Sequence, residues 1–574
     1  MGWLTGLAGN FSEDDLQKVK SFHQSTLFSF KDKNIYISAG GIEETCLRSF
    51  SKNQKSGWIV CGLGIKYDSD NASFMNIKDW DEELRKKNFS PYHLNGHFAA
   101  ARWNENQIEL FTDQLGVRKI YVTQTADYTA FTTNPELIIK LNKDISIDWE
   151  IFGSRWLLFN QITNKTFLKN VHSLNQGGRL LLNLKSLNIN ITNKNWHPDL
   201  INDLPEKKDF LSVLKDFTII NYNNKNVSLA LSGGLDSRLL FAFLISNGNK
   251  NFSVHSLNEN DHPDTKIAAE ISERYGIEQI FFEPSIPSPE NIILLLSSYT
   301  GETLLAPPVS KYSLMQFYSI LHNHDKIVID GTYGEFARRR FLNNILLKGR
   351  KALYGKDYNK LISLLSSNRP LIFNDEYYIS MKNGLNDLLY ELFDTMPPVK
   401  EYGIQNWLEL FMIRNHLVTT TAEQARSDKM LVNYMPFIQP SLLKIIFQTP
   451  AKKKNNKLFI KAIKELSPGL SETPLVKGTV TYPFGLGTLA TSVYVRLKSK
   501  VNAGYKDNLQ NNFLNLMKEY VLDTLNSTDF LSCEYYNHNK IKNIVEGYYL
   551  KKDLSFANDL DWWLTFDIWK RNFN

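Results

Sequence analysis

Cysteine is scarce in this chain, with three among 574 residues. Cys46, Cys61 and Cys533 show neither the short spacing of a metal site nor the dense pattern of a disulfide framework, so we expect buried thiols in a reducing compartment. No apolar run approaches the roughly eighteen residues that a membrane helix needs, and the first residues lack the charged start of a signal peptide. These absences predict a cytoplasmic protein with no membrane partner.

Net charge is also small. The 66 lysine and arginine residues and the 60 aspartate and glutamate residues give +6 at pH 7, an excess too modest to predict a nucleic-acid partner. The length, with 43% hydrophobic and 13% aromatic residues, suffices for two cores. We place the boundary between residues 185 and 208, a stretch of polar turn formers and charge. The predicted domains are therefore 1–195 and 205–574.

The two predicted domains differ in their hydrophobic patterns. Short alternating runs such as Gln107–Thr112 and Gly178–Leu184 predict antiparallel sheets in the first domain. In the second domain long helical patterns alternate with few strands, which predicts an α/β arrangement.

A glycine-rich loop at Ser232–Ser237 is the most informative segment. Val227–Leu231 before it predicts a buried parallel strand, and the apolar positions after it recur at helical spacing until Gly248. The loop matches neither the Walker nor the dinucleotide pattern, yet adjacent glycines and two serines before a helix form an anion cradle. Asp236 inside it favours a divalent cation bridging carboxylate and phosphate; the alternative is a plain turn with Asp236 capping the helix.

These six residues resemble the pyrophosphate-binding loop of the ATP-pyrophosphatase enzymes, which activate a carboxylate as an adenylate. More narrowly, they resemble the synthetase domain of the asparagine synthetase family. Further segments agree with that family in order: Phe252–Val254, Pro263–Ser272, Ile327–Glu335, Arg426–Phe437 and Leu475–Pro483. The resemblance implies an α/β parallel-sheet ATP-pyrophosphatase domain, adenine nucleotide α-hydrolase-like, with many helices.

The first two hundred residues resemble the glutamine amidotransferase-like half of the same family, which implies an α+β Ntn-hydrolase-like sandwich. The matching segments are Gly96–Trp103, Leu110–Tyr121, Phe131–Leu137 and Leu174–Gly178. That domain normally begins with a cysteine nucleophile whose own amine is the base, but Thr5 stands in its place behind a short extension. Asp113 is the one expected glutamine contact that remains. We therefore predict a vestigial, inactive glutaminase, unless proteolysis exposes Thr5.

The resemblance also implies an ATP site. The phosphates would lie on Ser232, Gly233, Gly234 and Ser237, and adenine would contact main chain around Leu231, Val254 and Gly331. Asp236 and Glu335 would share Mg²⁺ with the pyrophosphate, although Glu335 could instead cap a helix.

Lys477 matches the position of the family's catalytic lysine and would stabilise the tetrahedral oxyanion and the leaving phosphates; it could instead be a surface lysine. Tyr333 lies one position from the catalytic tyrosine of β-lactam synthetases and is a further catalytic candidate. Arg338–Arg340 could bind pyrophosphate or an anionic substrate, but we favour the alternative that these side chains are solvated.

A chain with this layout but without the cysteine nucleophile resembles one branch of the family, which uses an amine already present in the substrate. That branch contains the β-lactam synthetases, the carbapenam synthetases and the lasso-peptide macrolactam cyclases. We therefore expect an AMP-forming ligase that closes an amide within one small molecule or peptide bearing a carboxylate and an amine. Its partners could include a precursor peptide, a pathway protease or a second copy of the chain. The alternatives are amidation of aspartate or another acid with free ammonia, and a non-catalytic ATP-binding relative.

Overall fold

The computed structural model describes the chain except residues 1, 24, 69–70, 87–88, 159–161, 164, 201–208, 223–225, 283–288, 324–325, 339–342, 368, 417–429, 451–452, 501–507 and 574. The predicted family segment that begins at Arg426 and the arginines at 339 and 340 therefore lie at least partly outside the described residues.

The strands of the amino-terminal third form two antiparallel sheets. They are β1 Trp3–Gly9, β2 Thr26–Asp32, β3 Ile35–Gly40, β4 Cys46–Phe50, β5 Gly57–Asp68, β6 Asn71–Phe74, β7 Asn95–Trp103, β8 Gln107–Thr112, β9 Ile120–Gln124, β10 Tyr128–Thr132, β11 Val171–Leu174, β12 Arg179–Asn183 and β13 Ile189–Thr192. One sheet has the order β11-β9-β10-β1-β3-β2, and the other has β13-β12-β8-β7-β5-β4 with β6 on β5. The antiparallel strands predicted from alternation are confirmed at β8 and β12.

Alternation along the strands explains how these sheets pack. Ile35, Ile37 and Ala39 of β3 point to one face, and Ile108 and Leu110 of β8 do the same on the other sheet, because side chains two apart share a face. Together they belong to one buried apolar cluster between the sheets. The arrangement is a sandwich whose core lies between its two sheets.

The remaining strands are β14 Asn226–Ala230, β15 Ser253–His255, β16 Glu278–Ile280, β17 Lys326–Ile329, β18 Val432–Tyr434, β19 Leu475–Lys477 and β20 Val480–Tyr482. The helices are α1 Glu13–Phe22, α2 Ile77–Leu84, α3 Pro135–Leu141, α4 Trp149–Trp156, α5 Phe210–Thr218, α6 Leu235–Ser246, α7 Pro263–Tyr275, α8 Pro289–Thr303, α9 Met315–Asn323, α10 Glu335–Arg338, α11 Asn343–Lys348, α12 Arg350–Gly355, α13 Tyr358–Leu365, α14 Asp375–Asp394, α15 Val399–Tyr402, α16 Ile404–Phe411, α17 Pro440–Gln448, α18 Asn456–Leu466, α19 Thr488–Lys500, α20 Leu509–Leu516, α21 Lys518–Leu525, α22 Thr528–Leu531, α23 His538–Tyr549 and α24 Ala557–Lys570.

The later strands build a parallel sheet with the order β16-β15-β14-β17-β18, and β19 and β20 form a separate hairpin. From β14 the chain adds β15 on one side and later β17 on the other, so β14 is the point where the strand order reverses. In open parallel sheets, ligands bind beyond the carboxyl ends of the strands at such a switch point. Ala230 ends β14, so the glycine-rich loop begins at that place.

Side-chain amides and backbone groups join the sandwich to the second half of the chain. Gln439 is fully buried, and its Oε1 accepts a hydrogen bond from the Gly96 backbone N–H at 2.9 Å. Asn95 Oδ1 accepts from the Ser441 backbone N–H at 2.9 Å. Gln439 Nε2 donates to the Met435 carbonyl at 2.9 Å, so its neutral amide satisfies one backbone group of β7 and one of the second half of the chain.

Among the residues that the structure describes, no helix is long and apolar enough to cross a bilayer.

Candidate active site

The loop Ser232–Ser237, the predicted anion cradle, lies at the end of β14. The Ser232 backbone N–H donates to Ser237 Oγ at 3.1 Å, and the Gly234 N–H donates to Ser232 Oγ at 3.2 Å. Gly234 is the N-cap of α6 and no side chain caps that helix end. The hydroxyl oxygens of Ser232 and Ser237 lie 3.1 Å apart. Backbone donors at a helix N-terminus favour phosphate.

Gly233 is required by a close approach of the β19–β20 hairpin. A Cβ at this position would lie 2.2 Å from Cγ2 of Val476. The Gly233 carbonyl accepts a hydrogen bond from the Val476 N–H at 2.9 Å, which ties the hairpin to the loop.

Lys477 therefore lies next to the cradle, although it is 244 positions from Gly233 along the chain. It ends β19 with its side chain exposed, and Gly478 turns the chain with φ +62°. The structure thus brings together two of the segments that the sequence singled out.

Asp264 is a component of the site that the sequence analysis missed. It lies in the first turn of α7, and its Oδ1 accepts from the Gly233 N–H at 2.7 Å. Burial raises the pKa of this carboxyl above its ordinary value. The available signal was an acid at the start of the helix that follows the second parallel strand.

Asp236 pairs with Arg338 and does not cap α6. The Nε and Nη2 groups of Arg338 donate to the two carboxylate oxygens of Asp236, and Nη1 donates to Asn456 Oδ1 at 3.2 Å. Arg338 is only 6% exposed, so the prediction of a solvated arginine was wrong for this residue. The physical reason is that the turn after β17 places α10 next to the loop, so the Arg338 guanidinium lies within hydrogen-bonding distance of the Asp236 carboxylate.

The turn after β17 places the other predicted residues close to this pair. A Cβ on Gly334 would lie 2.3 Å from Oδ1 of Asp236, so only glycine allows the approach. Glu335 follows at the start of α10 and is partly buried. The described residues include no group of three or more His, Cys, Asp or Glu that could hold a metal ion.

Magnesium needs few protein ligands, since it is commonly held by one or two carboxylates together with substrate phosphates. Asp236, with Glu335 following Gly334, fits that requirement. However, the bond from Arg338 to each Asp236 oxygen means that a metal would have to share the carboxylate with the guanidinium.

The three residues predicted to surround adenine lie in or next to neighbouring parallel strands. The Leu231 N–H donates to the His255 carbonyl at 2.8 Å, and Val254 is fully buried in β15. A Cβ on Gly331 would lie 3.2 Å from the Ser237 nitrogen, so the β17 end reaches the first turn of α6. Leu231, Val254 and Gly331 thus belong to neighbouring strand ends around β14.

Tyr333 lies in the turn between β17 and α10 with φ +72°. Positive φ is uncommon for a bulky residue and stores strain. Its ring is partly buried and lies 6.1 Å from the ring of Phe336.

The two candidate glutaminase residues lie in the sandwich and have structural partners. Thr5 is fully buried in the middle of β1, and its Oγ1 lies 3.0 Å from His23 Nε2 and 2.8 Å from Thr132 Oγ1. His23, which the sequence analysis did not select, stacks on Trp3 with ring centroids 3.6 Å apart.

Asp113 organises a loop. Its Oδ1 accepts from the Leu115 and Val117 N–H groups at 3.0 Å, and its Oδ2 accepts from the Phe98 N–H at 3.2 Å and the Arg118 N–H at 2.9 Å. Desolvation nevertheless raises the pKa of this fully buried carboxyl to about 6. With four backbone donors already bound, it has little capacity left for a ligand.

Comparison with known proteins agrees with the resemblance to the asparagine synthetase family. The chain is similar to the microcin J25-processing protein McjC of Escherichia coli, with 26% identity over 190 residues that cover 29% of this chain and 35% of that protein. The match thus spans about a third of the relative's length. It confirms the resemblance that the sequence motifs indicate. No protein-family description matches the chain.

Two solved structures align with 61% of this chain. One is the allosteric regulatory enzyme of purine biosynthesis, with 8% identity, a TM-score of 0.22 and 78% of that chain covered. The other is the glutamine phosphoribosylpyrophosphate amidotransferase from B. subtilis complexed with ADP and GMP, with 10% identity, a TM-score of 0.21 and 79% covered.

Proposed function

We propose that the protein is an ATP-dependent ligase that activates a substrate carboxylate as an acyl adenylate and joins it to an amine of the same molecule. In this proposal residues 205–574 form the ATP-pyrophosphatase-type synthetase domain. Residues 1–195 form an amidotransferase-like domain without glutaminase activity. The observation that carries the proposal is the hydrogen bond from Val476 to Gly233, which holds a lysine hairpin against an anion cradle at the switch point of a parallel sheet.

The first step is adenylation. The hydroxyls of Ser232 and Ser237 and the first amides of α6 would bind the β- and γ-phosphates. The N–H groups of Ser232, Gly233 and Gly234 donate within the protein and would have to exchange those bonds to reach a phosphate. The substrate carboxylate would attack the α-phosphorus with loss of pyrophosphate. Magnesium bound with the nucleotide would neutralise phosphate charge, with Asp236 and Glu335 as its protein ligands.

The second step is acyl transfer. The substrate amine attacks the adenylate carbonyl, a tetrahedral oxyanion forms, and AMP leaves as the amide forms. The Lys477 ammonium would stabilise the oxyanion and the departing phosphate. A preorganised cation at developing charge contributes about 3–4 kcal/mol, or roughly a hundredfold to a thousandfold in rate.

A peptide is the substrate class we favour, since the relative is a microcin-processing protein. The intramolecular reaction also agrees with the sandwich, where Thr5 is buried inside a strand and Asp113 is saturated by backbone donors. No ammonia source is needed if the amine belongs to the substrate.

The test is a screen of synthetic peptides that carry a free amino terminus and an acidic side chain, with ATP and Mg²⁺. We expect AMP and pyrophosphate in equal amounts with a product that has lost one water. ADP and phosphate as products would contradict the proposal. A precursor peptide gene and a protease gene beside this one would direct the choice of peptide.

A further inference from the structure

Arg238 is a fully buried guanidinium in the first turn of α6, directly after the cradle residue Ser237. Its Nη1 donates to the carbonyls of Leu470 at 3.0 Å and Thr473 at 2.7 Å, and its Nη2 donates to the Pro474 carbonyl at 2.8 Å. All three acceptors lie in the segment that leads into β19. The first turn of α6 therefore contains both a residue of the cradle, Ser237, and the guanidinium that binds the segment before the Lys477 hairpin.

From this geometry we propose that Arg238 is a positioning residue that fixes the Lys477 hairpin relative to the phosphate cradle. The guanidinium fork suits this task because its planar donors reach several carbonyls at fixed angles, whereas a lysine ammonium presents a single point. The three carbonyls are thereby satisfied in a buried place where water does not replace the donor.

The charge of Arg238 persists in this setting. Burial lowers the pKa of its guanidinium to about 10, and Glu270 opposes the shift, so the group stays protonated at neutral pH. The ring of Phe484, just beyond β20, lies 5.5 Å from the guanidinium carbon. Thr473 Oγ1 also donates to Glu270 Oε1 at 3.0 Å, so the counter-charge is attached to the same segment.

If the proposed function is right, the three hydrogen bonds of Arg238, which we call the clamp, affect catalysis through Lys477. An electrostatic contribution from Lys477 depends on the position of its ammonium, since catalytic groups must be held within about 0.5 Å of the productive geometry. Lys477 is exposed at the end of β19, so we infer that the hairpin backbone supplies the position of its ammonium. The link to catalysis rests on the proposed role of Lys477, while the clamp itself does not.

The experiment compares Arg238→Met and Arg238→Lys with Arg274→Met as the matched control. Arg274 donates to the Gly469 carbonyl at 2.7 Å and pairs with Glu472, but it is partly exposed on α7. We expect both Arg238 variants to increase amide hydrogen exchange at residues 475–482 while β14 and β15 remain protected. The control should exchange as the wild type does. Unchanged exchange in the hairpin of Arg238→Met would overturn the clamp, whatever reaction the protein performs.

The second readout is a double-mutant cycle with Lys477→Met. We expect Arg238→Met to lower amide formation about tenfold or more with ATP affinity within about threefold of wild type, and Arg238→Lys to lower it less. Because Arg238 acts through Lys477, the double variant should be no slower than Lys477→Met alone. Multiplying losses would overturn the positioning role. Full activity of Lys477→Met itself would instead contradict the proposed function and leave the exchange result standing. If Arg238→Met does not fold, Arg238→Lys carries both readouts.

Discussion

The guanidinium of Arg338 donates to both carboxylate oxygens of Asp236, 102 positions earlier in the chain. The pair lies beside the cradle, and the Arg338 side chain is 5% exposed while that of Asp236 is 17% exposed. Asp236 raises the pKa of Arg338 against the desolvation that would lower it. The acid proposed to bind a metal is thus already neutralised by a protein cation, and a nucleotide that brings Mg²⁺ would have to compete with that cation.

Removing Arg338 should destabilise the fold. Arg338→Gln leaves a partly buried carboxylate without its cation, which we expect to cost about 2 kcal/mol or more, below the roughly 3–5 kcal/mol of a fully buried pair because Asp236 retains some solvent. Denaturant unfolding measures this loss. The double variant Asp236→Asn/Arg338→Gln should recover part of it, and a loss in the double variant equal to the sum of the two single losses would show that the pair is not coupled. Lys165→Gln, which breaks the exposed pair with Glu391, should cost less than about 1 kcal/mol.

Adenylation should depend on the charge of Asp236. Asp236→Asn removes one carboxylate charge where a metal and pyrophosphate must be balanced, so we expect loss of pyrophosphate release and of substrate-dependent ATP–pyrophosphate exchange. Asp261→Asn, an exposed acid before α7, should retain both. Normal exchange in Asp236→Asn would remove this carboxylate from the proposed metal site.

Lys477 should affect acyl transfer more than nucleotide binding. Lys477→Met keeps the apolar stem, so ATP should still bind through Ser232–Ser237 while amide product falls by at least about a hundredfold. Lys477→Arg should recover little, because a planar fork does not replace a compact point charge at a tetrahedral centre. Binding of ATP and product formation are measured for both variants. Unchanged product formation by Lys477→Met would exclude Lys477 from the site.

Glutamine should not be a substrate. Thr5 is fully buried, inside the chain, and already hydrogen-bonded to His23 and Thr132, so it has no free amine beside it and no access to a ligand. Incubation with glutamine should yield no glutamate above a buffer blank, and Thr5→Ala should leave that result unchanged. Glutamate release that Thr5→Ala abolishes would show a working nucleophile.

Local sequence predicted many of the strands and the loop that follows β14. Strands such as β8 and β14 were predicted from alternation and apolar runs. The loop between β14 and α6 was predicted from its adjacent glycines, which allow backbone conformations that other residues rarely adopt. Arg338 and Asp264 were not predicted as partners of the loop. Their contacts depend on which strand ends lie side by side in the sheet, and the spacing of residues along the chain does not give that information. The role of Gln439 was missed for the same reason, since its acceptor bond is to Gly96, 343 positions away.

Acid should lower the stability of the protein through His97, which lies where the sandwich contacts the second half of the chain. This histidine of β7 is fully buried, its Nε2 lies 3.5 Å from the Met435 nitrogen, and burial together with the charge of Arg118 lowers the pKa of its ring to about 3. The unfolded chain binds a proton near pH 6.5 and the folded chain does not, so stability falls as pH drops from about 6.5 toward 3. By pH 5 the loss attributable to His97 should be about 2 kcal/mol, at 1.36 kcal/mol per pH step. Denaturant midpoints at pH 7.5 and 5 should therefore differ less in His97→Gln than in wild type, whereas the exposed His172→Gln on β11 should keep the wild-type difference. An equal pH dependence in His97→Gln and wild type would show that the imidazole is solvated or already charged in the folded protein.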